Sequence, residues 1–339
     1  MTAARLLVAA LRDPGSVKAF GAEQWTALLT AARAERLIGT LAHRLDRRGV
    51  PAAVARILFD AEEGAKQERR AALWEAEMAR RALAALDVPV VLLKGTAFAA
   101  AGLDAGQGRS IGDLDILVPR DVLDVVEQAL HAAGWEAVKE DAYDDAYYRR
   151  WMHELPPLIH RERDRMIDVH HTILPPTARQ IPDADALLRD AVPLGNGLSM
   201  LSPADMVVHA AAHLYADGDL AGGLRNLWDI DRLLREFADE DEGFWTRLDE
   251  RARWHGLLGA VSRAVRQVAD LYGTPIPDGW RSRWTVDSLY RRRLLARDGW
   301  GRQGRSVTRL GFYVRSHWLR MPPLMLARHL WTKATRKTS

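Results

Sequence analysis

The chain contains no cysteine. Disulfides, thiol nucleophiles and cysteine-ligated zinc sites are thereby excluded, and the absence fits a reducing compartment. Also missing is any apolar stretch near the ~20 residues needed to span a bilayer. The opening run MTAARLLVAALRDPG has one early arginine and a short, helically spaced apolar segment, too brief for a signal peptide. A cytoplasmic location with no transmembrane segment is the expectation. No P-loop occurs, which leaves a P-loop NTPase reading without support. Neither internal repeats nor low-complexity linkers interrupt the chain.

What is present is ordinary in bulk and uneven in distribution. The 339 residues are 48% apolar and 27% charged, as in a soluble globular protein with one large or two modest domains. The net charge of +3 hides an asymmetry. From residue 281 to 339 there are fifteen Lys and Arg against only Asp287 and Asp298, so this end is strongly basic and the rest acidic. A basic end on an acidic body suits an anionic partner such as RNA, phospholipid or an acidic protein.

Hydrophobic periodicity divides the chain into three. Residues 1–86 have helical spacing, with Trp25, Leu28, Leu29 and Ala32 on one face and one or two long helices over 52–86. Residues 87–175 form the mixed part. A buried strand is expected over 88–93, a helix from Ala97, a second strand over 114–118 and a helix over 120–133 closed by Gly134. Next come a third strand over 135–138 and a hairpin of 153–159 with 165–171. From Asp183 the pattern is again helical, with Ser202-Pro203 as an N-cap and first-turn proline. Further helices are expected over 222–238, 243–272, 284–296 and 306–331. The fold class is α+β: a small mixed sheet core flanked by N-terminal (1–86) and C-terminal (176–339) helical regions.

The chemistry concentrates in residues 90–120. Asp113 and Asp115, at i and i+2 on a strand, point to one face. Two carboxylates so placed repel unless a cation lies between them, and magnesium accepts such oxygen donors. For an isolated Asp-x-Asp, a solvent-facing pair is the commoner outcome. Here, however, Gly95-Thr96 stands at a strand-to-helix junction suited to phosphate, and Asp168 recurs on an apolar strand between Ile167 and Val169. Three such features in order are hard to obtain by accident.

These residues carry a resemblance. Leu92-Leu93-Lys94-Gly95-Thr96 followed by Gly108-Arg109-Ser110-Ile111-Gly112-Asp113-Leu114-Asp115 resembles the polymerase β-type nucleotidyltransferases, and more closely a bacterial group of uncharacterised nucleotidyltransferases. The likeness extends through Ser202-Pro203-Ala204-Asp205, His209, His213 and Leu227-Trp228-Asp229-Ile230. Threonine stands where the superfamily has Ser or Gly after Gly95, and 16 residues separate Thr96 from Asp113, a longer spacer than the superfamily's. The resemblance implies that Asp113 and Asp115 bind two Mg2+ ions, with Asp168 completing the second site and helping to deprotonate the acceptor. It implies that Gly95 and Thr96 contact the β- and γ-phosphates of a nucleoside triphosphate, whose nucleotide passes to an acceptor with release of pyrophosphate.

Other residues have two readings each. Arg109 can fork onto a phosphate or form a salt bridge. Lys94 can meet phosphate or lie at the surface. His170 shares the face of Asp168 and can orient it, contact substrate or fill the strand. His209 and His213, at i and i+4, can join Asp205 around a metal, but the favoured reading is a structural role bonded to Asp229 or Asp231. Within the resemblance they line the acceptor pocket beside Arg225. In the basic end, Arg309, Phe312, Tyr313, Arg315, Trp318, Arg320, Trp331, Lys333, Arg336 and Lys337 fit RNA stacking, an anionic lipid surface or, most simply, helical packing with snorkelling arginines. The expected acceptor is the hydroxyl or phosphate of a small molecule, sugar or peptide product. The alternatives are a toxin-like enzyme modifying tRNA or protein, and a non-catalytic nucleotide-binding scaffold.

Overall fold

Apolar residues three and four apart build the N-terminal quarter into four helices. α1 (Ala3–Arg12) buries Leu6, Leu7, Ala10 and Leu11. α2 (Ala22–Ala34) buries Trp25, Leu28, Leu29 and Ala32, the face read from the sequence. α3 (Ile38–Arg44) follows, and α4 (Ala52–Leu83) runs for 32 residues as one helix, roughly 48 Å at 1.5 Å per residue. The structure, a computed structural model, describes residues 2–138, 148, 149, 151–282 and 284–320.

The middle of the chain alternates strands and helices: β1 (Val91–Leu92), α5 (Lys94–Ala100), β2 (Leu114–Leu117), α6 (Leu123–Ala132), β3 (Trp135–Ala137), β4 (Leu158–His160) and β5 (Met166–His170). Then come α7 (Ala184–Arg189) and two short strands, β6 (Val192–Pro193) and β7 (Ser199–Met200). The described remainder is helical: α8 (Pro203–Ala212), a π-helical turn (His213–Asp217), α9 (Gly223–Glu240), α10 (Phe244–Trp254), α11 (Leu258–Tyr272), α12 (Asp287–Leu294) and α13 (Ser306–Arg320).

The seven strands form one mixed sheet in the order β3-β4-β5-β2-β1-β7-β6. β2 lies at its centre, antiparallel to β1 through Leu92↔Ile116 and parallel to β5 through Asp115↔Asp168. Its four residues are all buried, as a strand covered on both faces requires. The predicted hairpin pairs Leu158 with Ile167. It is interrupted at Pro156-Pro157, which have no N–H to give to the ladder.

The architecture is the expected α+β arrangement of a mixed sheet between helical regions, with four differences in detail. The sheet gains β6 and β7 from a stretch read as helical, and β7 lies parallel to β1. α5 starts at Lys94 rather than Ala97, which places Gly95 and Thr96 inside its first turn. The helix expected over 243–272 is two, α10 and α11, separated at Gly256. α8 ends in a π-helical turn that the sequence did not announce. The cap at Ser202 is as read: its hydroxyl accepts from the Asp205 N–H at 3.3 Å. A single apolar cluster runs from Ala3 on α1 through the sheet to Phe312 on α13, so the three sequence regions share one core. No helix among the described residues is long and apolar enough to cross a membrane.

Candidate active site

The parallel register of β2 and β5 sets Asp115 directly beside Asp168, and the alternation of a strand puts Asp113 on the same face. Oxygens of the three carboxylates lie within 4.8 Å of one another. Asp113 is exposed, Asp168 half-buried and Asp115 only 3% exposed. The three acids read separately from the sequence thus converge.

Hydrogen-bond donors meet Asp115 from two sides. Lys94 Nζ donates to its Oδ1 at 2.5 Å, and His170 Nε2 lies 2.9 Å from the same oxygen. Burial opposes the charge on Asp115, but Lys94 and His170 outweigh it and hold its carboxyl well below the usual range. Asp168 has no such cation. Burial, then the negative charges of Asp115, Glu154 and Asp113, push its pKa up to about 7. This crowding of acids is what a divalent cation would relieve, and an all-oxygen donor set suits Mg2+. Lys94 reaches Asp115 from a left-handed backbone with φ +49°, a conformation that costs a non-glycine residue about 1–3 kcal/mol and concentrates at functional sites.

Asp113 and Asp115 open onto a cleft of about 410 Å³ between the sheet and helices α2, α8 and α9, with Asp168 behind them and not on its wall; the volume suits a small-molecule substrate. Lys94, Gly95, Arg109, Asp113, Asp115, His209, His213 and Arg225 all line it. Thr96 does not. It is 1% exposed and its hydroxyl is buried without a hydrogen bond, so the direct phosphate contact read for it is not set up. Gly95 has a steric role as well: a Cβ there would stand 1.9 Å from Arg109 Nη1, so only glycine lets that guanidinium lie over the first turn of α5.

Arg109 forms the salt bridge of its two readings, donating to Asp229 Oδ2 at 3.1 Å, while still facing the cleft. Arg225 approaches the other oxygen of Asp229 at 3.4 Å and donates to Thr40 Oγ1 at 2.8 Å. Its Nε and Nη1 remain buried without hydrogen bonds. Burial lowers the Arg225 pKa to about 10, which leaves it charged at neutral pH. Two guanidinium groups therefore share one carboxylate, an excess of positive charge on the cleft wall.

The histidines depart from the favoured reading. Asp229 pairs with the two arginines, and Asp231 is taken by Arg232, Arg235 and Thr274. Neither acid bonds His209 or His213, which line the cleft instead. Burial, with Lys94 next in weight, pushes the pKa of both down, although His213 also meets the solvent in the cleft. Asp205 is unavailable to a metal: Arg251 grips both its oxygens at 2.8 and 2.7 Å, and Ser202 donates to it.

Sequence reasoning missed Glu154, which lies opposite His170 and holds a pKa raised by burial. The adjacent His153-Glu154 before an apolar strand was its only local sign. In the basic end, Phe312 is buried against Tyr290, Arg315 donates to the Tyr215 carbonyl and Arg320 to that of Asp217, the packing reading. Arg309, Tyr313 and Trp318 are exposed. Trp331, Lys333, Arg336 and Lys337 lie outside the described residues.

No curated protein matches the chain. A family model described as uncharacterised nucleotidyltransferase matches residues 21–273, which span every side chain of the cleft and the acid cluster, and the chain belongs to that family.

Proposed function

We propose that the cleft is the active site of a magnesium-dependent nucleotidyltransferase that passes a nucleoside monophosphate from an NTP to an acceptor hydroxyl or phosphate and releases pyrophosphate. The observation that carries this reading is the convergence of Asp113, Asp115 and Asp168 on one sheet face beside a cationic cleft wall. Those carboxylates would hold two Mg2+ ions, which supply charge neutralisation for attack at the α-phosphorus. Arg109 and Arg225, with one carboxylate between them, suit the phosphates, and Lys94 lies within the same cleft. Asp168 would complete the second ion site and help to take the acceptor proton. His209, buried and with its pKa pushed down, suits contact to a neutral part of the acceptor, and His213 lines the cleft one turn further on. A small molecule, sugar or peptide fits a cleft of this size better than a macromolecule.

The test supplies each of the four NTPs, labelled at the α-phosphate, with Mg2+ and a cell extract. The wild-type chain should label a discrete acceptor with one nucleotide, and Asp113→Asn should label nothing. Transfer of equal extent by that variant would refute the assignment.

A further inference from the structure

On the side of His170 away from the acid cluster, the hairpin carries an irregularity. Glu154 stands opposite His170, whereas further along Leu158 stands opposite Ile167. Three residues, Leu155-Pro156-Pro157, thus face two, Asp168 and Val169, which is a bulge. Backbone bonds from Leu155 N to Val169 O and from His171 N to His153 O, both 2.9 Å, clamp the bulged segment to β5. The clamp brings three donors together. His170 Nδ1 is 3.3 Å from Glu154 Oε2, His153 Nε2 is 3.8 Å from the same oxygen, and ligand atoms of all three lie within 4.8 Å of one another.

The His170 side chain is 2% exposed. Its Nε2 faces Asp115, an acceptor-only carboxylate, so this nitrogen carries the hydrogen. In the neutral ring, Nδ1 then presents a lone pair, and it is buried without a hydrogen bond while pointing at a second carboxylate. A lone pair against a carboxylate oxygen is repulsive unless a proton or a metal ion lies between them. A proton there, on His170 or on Glu154, would join that pair alone, whereas one metal ion would also engage His153, whose Nε2 lies 3.8 Å from the same oxygen. Two imidazoles and one carboxylate are the donor set of borderline divalent ions. A carboxylate behind the ligating ring, here Asp115, is the usual outer partner of a metal-bound histidine.

We propose that His153, Glu154 and His170 form a second metal site, distinct from the acid cluster, that takes a divalent transition-metal ion of the zinc class. Its nitrogen donors separate it from the all-oxygen site of Asp113, Asp115 and Asp168, which selects a hard ion. Occupancy fixes His170 with its Nε2 hydrogen on Asp115. The second site therefore positions a carboxylate of the first without touching substrate. This inference stands independently of the nucleotidyl-transfer reading.

The experiment uses the full chain, stripped with chelator and titrated with Zn2+, or with Co2+ as a visible-absorption probe, in the absence of nucleotide. One equivalent of Co2+ should bind with the ligand-field band of a nitrogen-containing site, in wild type and in Asp113→Asn alike. His153→Gln and Glu154→Gln should each abolish the band and weaken binding by more than the roughly 100-fold that loss of an outer partner costs. X-ray absorption at the zinc edge of the wild-type protein, which needs no variant to fold, should show two imidazoles around the ion. An unchanged band in His153→Gln, a band lost in Asp113→Asn, a zinc shell without imidazole, or no stoichiometric binding would each overturn the proposal.

Discussion

Asp113 and Asp115 look equivalent in the sequence and differ in the fold. Their spacing alone suggests that neutralising either relieves repulsion. In the structure Asp113 is exposed, whereas Asp115 is buried against Lys94 and His170. Both Asp→Asn variants should lose nucleotidyl transfer, but their stabilities should diverge. Asp113→Asn should unfold in urea within about 0.5 kcal/mol of wild type, as exposed substitutions do. Asp115→Asn leaves Lys94 without its counter-charge and should cost on the order of 3 kcal/mol; equal midpoints would contradict the ion pair. Asp168 makes a pH prediction. Its pKa is raised from 3.8 to about 7, so the folded state holds this proton more tightly than the unfolded state. Its contribution to stability is therefore full below about pH 4 and lost as pH rises towards 7. Melting temperatures of the metal-free protein should show this fall, and Asp168→Asn should remove it. The three acids were legible because a strand's period of two fixes which face a side chain takes. The Arg109–Asp229–Arg225 group and the Glu154–His170 pair were not, since each joins residues that only tertiary packing brings together.

Among elements, legibility followed length. The apolar runs around β1, β2 and β5 were readable, as were the cap at Ser202 and the long spacing of α4. β6 and β7 have two residues each, too few to carry any periodicity, and they owe their place to pairing with each other and with β1. The split between α10 and α11 has a sign in the sequence, Gly256. Gly256 takes φ +66° and the Leu257 N–H donates back to the Ala252 carbonyl, a glycine-terminated helix end followed at once by a new helix. A Cβ at this glycine would meet nothing within 4 Å, so the whole penalty of Gly256→Ala is conformational. That variant should lose about 1 kcal/mol in chemical denaturation. A neutral or stabilising result would show that the backbone there does not require the left-handed region.

For the whole molecule, the three regions seen along the sequence do not stand apart in space. Glu35 at the end of α2 accepts from Arg297 at 2.6 Å and from the Leu224 N–H on α9 at 3.1 Å, while it also lines the cleft. The loop before β2 is held by Glu68 of α4, which accepts from the Ile111 N–H at 3.0 Å. With one apolar core through all of these, residues 87–175 expressed alone should stay unfolded by circular dichroism. A cooperative thermal transition in that fragment would contradict the shared core. The central claim is that Asp113, Asp115 and Asp168 act together as a divalent-cation site facing a nucleotide cleft. Anomalous diffraction from crystals soaked with Mn2+ and a non-hydrolysable NTP analogue tests it most directly. The account predicts manganese peaks bound by these three carboxylates, with the triphosphate beside Arg109 and Arg225. Nucleotide density in the cleft with no manganese at the acids, or manganese bound elsewhere, would contradict it.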